Sequence, residues 1–334
     1  MVKVSVIVPI YGVAQFIEKC IRSLMAQTLQ EMEFLVVDDH GPDNSMDIAR
    51  KVVDGHPRKE QFKFLRPEHN LGAGMARNYA LTYAQGEYVA FVDGDDFIGE
   101  EMYAEMYAEA KRADSELCCC MIQKDYQDGR KGTIMRNPHV PAGKLTSDSR
   151  NYLLTHYVSM FTSFVFRRDL LLGYEIRFPG NHLAEDSFFI SCALMTASSI
   201  AYVDKPFYHY VIRDGSACTT KDDCKYKNRL AVFDKLLQYA KEYHVYDNYS
   251  DAVDYVYIKK GYLSSVLCYV LNAEHVSKTV IQQIRNHFLS QVPAYRSNRY
   301  FTGGVRVLDT LIHFVPFLSV PILRWYAKYK NIVS

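Results

Sequence analysis

The chain has 334 residues, 49% of them apolar and 23% charged, with a formal net charge of +1. That excludes a disordered chain and provides core enough for one large domain or two modest ones. The near-zero charge argues against a broad basic field for nucleic acid, and no apolar run reaches the ~20 residues of a membrane span.

Met-Val-Lys leads straight into Val4 to Ile10, a β-branched run apolar on both faces, as a buried parallel strand is. With no apolar leader or cleavage site, no secretory signal is expected. Gln15 to Gln27 has helical spacing, with Phe16, Ile17, Ile21, Leu24 and Met25 on one side. Glu33 to Val37 predicts a second strand, Asn44 to Val53 a helix, Phe62 to Leu65 a strand, and Gly74 to Ala84 a helix of small residues. Glu87 to Val92 predicts a fourth strand, Glu100 to Asp114 a long helix, and Ser115 to Gln123 another strand. Alternating strands and helices predict an open, mainly parallel sheet between helices, with ligands beyond the strands' carboxyl ends.

Beyond residue ~125 the pattern changes. Lys124 to Ile134 predicts a hairpin around Gln-Asp-Gly-Arg, Ser163 to Phe166 a strand, Ala184 to Ala197 a helix and Ile200 to Tyr210 a strand. Four helical segments follow: Lys225 to Tyr243, Asp251 to Leu271, Val276 to Leu289 and Arg306 to Tyr329. Eight cysteines lack Cys-x-x-Cys spacing, and Cys118, Cys119 and Cys120 lie in an apolar run. They read as small buried hydrophobes in a reducing, cytoplasmic setting.

Five constellations carry chemistry. Asp93-Gly94-Asp95-Asp96 crowds three carboxylates at a strand end. A divalent cation relieves their repulsion, and oxygen ligands suit Mg²⁺ or Mn²⁺; a solvated acidic turn is the plainer reading. Asp38-Asp39 ends the second strand and can accept from a nucleobase or ribose, or serve a turn. Asn70-Leu71-Gly72-Ala73-Gly74 opens a helix carrying Arg77. It lacks the preceding strand and third glycine of a dinucleotide fingerprint, so it reads as a loop near a phosphate or base with Arg77 as a cationic contact, or as a plain turn. Glu185-Asp186 sits in a helix first turn, as an acceptor's base or an ordinary terminal acid. His209 is a candidate metal ligand or a structural histidine.

In order and spacing these motifs resemble family-2 glycosyltransferases of the GT-A fold, over roughly residues 1 to 215. Val4 to Tyr11, with Pro9, resembles the strand that holds the nucleotide. The resemblance implies uracil and ribose contacts at Asp38 and Asp39, a glycine loop at Gly72 with Arg77, and a metal and diphosphate site at Asp93 and Asp95. It implies Asp186 as base, with Glu185 beside it. The implied reaction is inverting transfer from a nucleotide-sugar donor, UDP-linked, to a glycan or lipid-linked saccharide acceptor in surface polysaccharide synthesis. The expected catalytic domain is residues 1–217, nucleotide-binding over about 1–123 and acceptor-binding over about 124–217, with a helical region over 218–334. The sequence departs from the family at Gly12, at His40-Gly41-Pro42, and over Met160 to Arg168, which carries neither Trp nor Lys. Those departures bear on substrate identity rather than reaction class.

Leu311 to Trp325 is strongly apolar and is followed by Tyr326, Lys328 and Lys330. It reads as a peripheral membrane contact through the C-terminal helix, or as a helix packed on the protein. Two rivals to the transferase are a catalytically silent carbohydrate-binding relative and a sugar nucleotidyltransferase. Pro9-Ile10-Tyr11-Gly12 is not the latter's glycine- and arginine-rich loop.

Overall fold

The computed structural model describes residues 1–180, 183–212, 225–314, 321 and 323. The chain divides into two compact units: Met1–Asn181 with Ala193–Arg213, and His182–Cys192 with Asp214–Ser334. The second unit thus takes residues 182–192 from inside the stretch expected to be catalytic.

The first unit runs β1 (Val4–Ile10), α1 (Ile17–Met25), β2 (Met32–Asp38), α2 (Ser45–Val53), β3 (Phe62–Leu65), α3 (Ala73–Leu81), β4 (Tyr88–Phe91), β5 (Phe97–Ile98) and α4 (Met102–Arg112). It continues with β6 (Leu117–Tyr126), β7 (Lys131–Met135), β8 (Gly143–Lys144), α5 (Ser147–His156), β9 (Phe164–Arg167) and α6 (Arg168–Gly173). Next come α7 (Glu185–Thr196), which begins in the second unit, and β10 (Ser199–Ile212). One sheet has the order β3-β2-β1-β4-β9-β6-β10-β5, with β7 on β6 and β8 on β10. The first four strands in that order are parallel, as expected. Beyond them the sheet is mixed, because β9 runs antiparallel to both β4 and β6.

The core follows from the apolar pattern. All 7 residues of β1 are buried, as a central strand requires. α1 buries Ile17, Cys20, Ile21, Leu24 and Met25, one stripe at helical spacing. Cys118, Cys119 and Cys120 are buried and free within β6. The predicted hairpin forms between β6 and β7, with Ile122 opposite Met135. Four short elements escaped the sequence reading: β5, β8, α5 and α6. α5 hides its register because polar side chains occupy its buried side. Arg150 lies there and donates to the Leu194 and Met195 carbonyls, each at 2.7 Å.

The second unit holds α8 (Lys225–Glu242), α9 (Tyr246–Val256), α10 (Ser264–Asn272), α11 (Lys278–Gln291) and α12 (Gly303–Phe314). The single helix expected over Asp251 to Leu271 is interrupted by a π-helical stretch, Tyr257–Leu263. There the Tyr262 and Phe288 rings stack at 4.3 Å, and a Cβ on Gly261 would meet Phe233 at 3.0 Å. Among the described residues no helix is long and apolar enough to cross a membrane. Most of the apolar segment from Leu311 to Trp325, with its expected membrane contact, lies outside the described residues, as do Cys218 and Cys224.

Candidate active site

Parallel pairing lines up the carboxyl ends of β2, β1 and β4. Ile10 sits opposite Asp38, and Ile7 opposite Phe91. Tyr11, Asp38 and the run Asp93 to Asp96 therefore gather along one sheet edge. Pro9 pairs with Val37 on β2 and lies past the last β1–β4 pair, where a missing N–H breaks no ladder on that side. Tyr11 is 55% exposed there. Gly94 sits in close approach, since a Cβ would come within 3.2 Å of the Pro9 carbonyl oxygen and 3.1 Å of Val13.

Asp38 and Asp39 have different surroundings. Asp38 Oδ1 accepts from the His40 N–H at 3.1 Å, and the exposed Arg66 guanidinium lies 3.4 Å from Oδ2. Asp39 is 2% exposed and takes the Leu71 N–H at 2.7 Å, while its carbonyl takes the Asn70 amide at 2.6 Å. Asp39 thus fastens the glycine loop to the edge. Gly72, at φ 76° and ψ 157°, then turns that loop into α3, in a region open essentially to glycine alone.

Arg77, expected as a cationic contact near a phosphate or base, has a carboxylate partner that the sequence did not show. It is 5% exposed and donates to Asp93 Oδ1 at 2.6 Å, so it is not the surface arginine of the plainer reading. Its guanidinium lies 4.8 Å from the Phe161 ring centre and 5.1 Å from that of Phe178. A planar cation between aromatic rings is an arrangement suited to arginine. The pair fixes Asp93, which stays partly exposed.

Asp96 is withdrawn. It is 2% exposed, accepts from the Tyr208 hydroxyl at 2.6 Å and takes the Val211 N–H at 2.8 Å. Burial, then Asp93 and Asp95, push its carboxyl well above the usual range, against those two hydrogen bonds. The Cys20 thiol is pushed up by burial and then by Asp96, Asp95 and Asp93, a sign of concentrated negative field. His209 donates from Nδ1 to Asp125 at 2.6 Å and stacks on Phe97 at 4.2 Å.

In the second unit, Glu185 and Asp186 occupy the first turn of α7, where the helix dipole favours a carboxylate. Ala184 precedes them at φ 70°.

The sequence profile of glycosyl transferase family 2 matches residues 5–173, just over half of the chain. The chain belongs to that family. It is 32% identical over 211 residues to the uncharacterized glycosyltransferase EpsJ of Bacillus subtilis strain 168, covering 62% of this chain and 60% of EpsJ. It is 30% identical over 221 residues to a poly(ribitol-phosphate) beta-glucosyltransferase of Bacillus spizizenii, covering 64% of this chain and 33% of that protein. Among solved structures, S. aureus TarS 1-349 in complex with UDP-GlcNAc matches at TM-score 0.64 and 23% identity, over 90% of this chain and 93% of that one. Such a likeness is one of fold, and the fold is GT-A with a helical C-terminal region. The family and the relatives named as glycosyltransferases support a transferase enzyme.

GT-A enzymes commonly use a divalent metal, and a mannosyltransferase of Pyrobaculum calidifontis matches in a complex with GDP-Man and Mn²⁺, at TM-score 0.54 and 16% identity over 99% of this chain and 87% of that one. Here the donor set suits a hard cation only in part. Among the described residues no three His, Cys, Asp or Glu side chains group closely enough to hold a metal by themselves. His209 therefore does not complete a ligand triad with Asp93 and Asp95, and Asp96 is occupied by Tyr208 and Val211. Two half-buried carboxylates remain, and Mg²⁺ or Mn²⁺ would take its other oxygens from diphosphate and water, as such ions do.

The sequence reading missed Arg66 and Tyr208. Arg66 follows β3 directly, so its place at the same edge was a usable signal. Tyr208 was visible only as one aromatic in an aromatic strand.

Proposed function

We propose that this glycosyltransferase moves a sugar, with inversion, from a UDP-linked donor to a hydroxyl of a glycan or lipid-linked saccharide in cell-envelope polysaccharide synthesis. The observation that carries the donor half is the Arg77–Asp93 pair, which holds one carboxylate beside Asp95 at the end of β4. The UDP-GlcNAc complex of TarS supports uridine, and the Bacillus relatives support an envelope acceptor.

Tyr11 offers the exposed ring on which a base stacks. Asp38 accepts from the base or ribose, and Arg66 balances its charge. Gly72 and Asp39 shape the loop beside it. Asp93 and Asp95 would hold the divalent cation, which when bound supplies charge neutralisation for the departing diphosphate. Asp186 takes the acceptor hydroxyl's proton, with Glu185 adjacent, and the oxygen attacks the anomeric carbon as the diphosphate leaves.

The test is a thermal-shift titration with UDP, GDP and CMP, each with and without Mn²⁺. A specific ligand should raise stability by about 2.7 kcal/mol at a hundredfold excess over its dissociation constant. UDP alone among the three should do so, and more strongly with metal. No shift at millimolar UDP would overturn the donor assignment. Asp186→Asn should lower transfer by about 10²–10⁴-fold and leave the UDP shift intact; full activity would remove Asp186 as base.

A further inference from the structure

The loop after β2 departs from the family pattern at His40, and the structure gives that ring two partners. His40 is half-buried and sits at φ 60°, a left-handed backbone that costs a residue with a side chain more than it costs glycine. Its Nε2 lies 2.8 Å from the carbonyl oxygen of the buried Pro67. A carbonyl only accepts, so Nε2 carries the proton, and Nδ1 of the neutral ring is left as an acceptor. Arg66 Nη2 donates to that Nδ1 at 3.4 Å. The other arm of the guanidinium, Nη1, lies 3.4 Å from Asp38 Oδ2. Asp38 Oδ1 in turn accepts from the His40 N–H at 3.1 Å. Residues 38, 40, 66 and 67 thus close a ring of contacts between the carboxyl ends of β2 and β3.

Glycine would make the same turn with less strain, yet the chain keeps a side chain there with both ring nitrogens engaged. Arg66 precedes a proline, which disfavours helical backbone and keeps it extended at the strand end. Its side chain is 62% exposed, while that of Asp38 is 12% exposed. Gly41 packs this corner on the segment that carries the exposed Tyr11. A Cβ at Gly41 would come within 2.9 Å of the Gly12 nitrogen and 3.2 Å of Tyr11 Cα.

A carboxylate beside a guanidinium is an acceptor next to a donor. Uracil carries the complement on one edge, an N3–H beside a carbonyl oxygen. Cytosine reverses it, with a bare N3 beside an amino group. A site with both groups fixed rejects the reversed edge, because its own polar groups would be left unpaired. We propose that Arg66 selects uracil, donating to a base carbonyl while Asp38 accepts from N3–H, and that His40 is the positioning residue that holds Arg66 there. This inference rests on the UDP-linked donor proposed above and deepens it by naming what reads the base.

The experiment is calorimetric titration of the full chain, in Mn²⁺, with UDP and with CDP, which differ only along that edge. Wild type should bind UDP about 10-fold more tightly or better, and Arg66→Met should remove about that factor from UDP with CDP nearly unchanged, the share of one charged hydrogen bond. His40→Gly relieves the backbone, so urea melts should show a fold at least as stable, while the preference for UDP falls by about 3-fold or more. His40→Asn tolerates the left-handed backbone and brings an amide oxygen to the place of Nδ1, so it should keep most of the preference. In the Arg66→Met background, His40→Gly should change nothing further. Equal weakening of UDP and CDP by Arg66→Met, or an unchanged preference, overturns Arg66 as the selector. The same loss from His40→Gly with and without Arg66 overturns the positioning role. A wild type that binds neither nucleotide defeats the donor reading itself, whereas one that binds UDP while every variant keeps its preference defeats this inference alone.

Discussion

The sheet edge and the helical unit handle charge in opposite ways. At the edge, three carboxylates lie within four residues, and the fold gives each a different environment: Asp93 pinned by Arg77, Asp95 half-buried, Asp96 sealed under Tyr208. In the helical unit the charged groups come from separate helices, with Lys225 and Arg229 on α8, Lys260 in the π-helical stretch and Asp186 on α7. A chain-local site announces itself as a motif. Charged groups from distant segments leave no motif, only an excess of one charge.

At the sheet edge the largest effect should come from removing a carboxylate proposed to hold the divalent cation. Asp95→Asn is expected to lower kcat/KM for donor turnover by about 10²–10³-fold, the loss typical when one electrostatic stabiliser of a leaving group is removed. Folding stability should change little or rise, because one member of a repelling set is neutralised. Steady-state kinetics beside urea melts would test both. A variant as active as wild type would place the donor chemistry elsewhere and erase the contrast drawn above.

Arg77→Gln probes the other side of the same comparison. The arginine is buried and its partner is about one-third exposed, so breaking the pair should cost about 1–3 kcal/mol, less than a fully buried pair would. Urea melts should register that loss, together with weaker Mn²⁺ dependence of the UDP shift because Asp93 is no longer held. If Arg77 met the donor directly, KM for the donor would rise with stability unchanged. This is also where sequence reasoning fell short. The parallel strands were legible from buried β-branched runs, and the acidic edge from topology, because strand ends gather by rule. The partner of Arg77 was not legible, because a small-residue helix after a glycine loop looks the same whether its arginine points outward or into the sheet. What decides is the aromatic pair Phe161 and Phe178, more than 80 residues away in the chain. α5 was missed for a related reason, since buried polar or charged residues break the apolar period on which helix recognition depends.

The smallest effect separates a carboxylate that holds the sheet from those that serve the edge. Glu33 lies within β2, opposite Ser5 of β1, and is 3% exposed. Burial pushes its carboxyl up, but hydrogen bonds from Lys63 at 2.8 Å, the Ser5 hydroxyl at 2.6 Å and the Gln85 N–H at 2.6 Å outweigh it, leaving it below the ordinary glutamate value. A carboxyl lowered on folding stabilises fully above its unfolded value of about 4.3, and that stabilisation fades as pH falls through the lower folded value. Glu33→Gln should therefore be less stable than wild type by about 1 kcal/mol at pH 7, with kinetics unchanged, and the gap should close below about pH 4. Urea midpoints of both proteins from pH 7 down to about 3 would measure it. A gap that stays constant across that range would mean that the glutamate acts through shape rather than charge, and the contrast between structural and edge carboxylates would then have to rest on geometry alone.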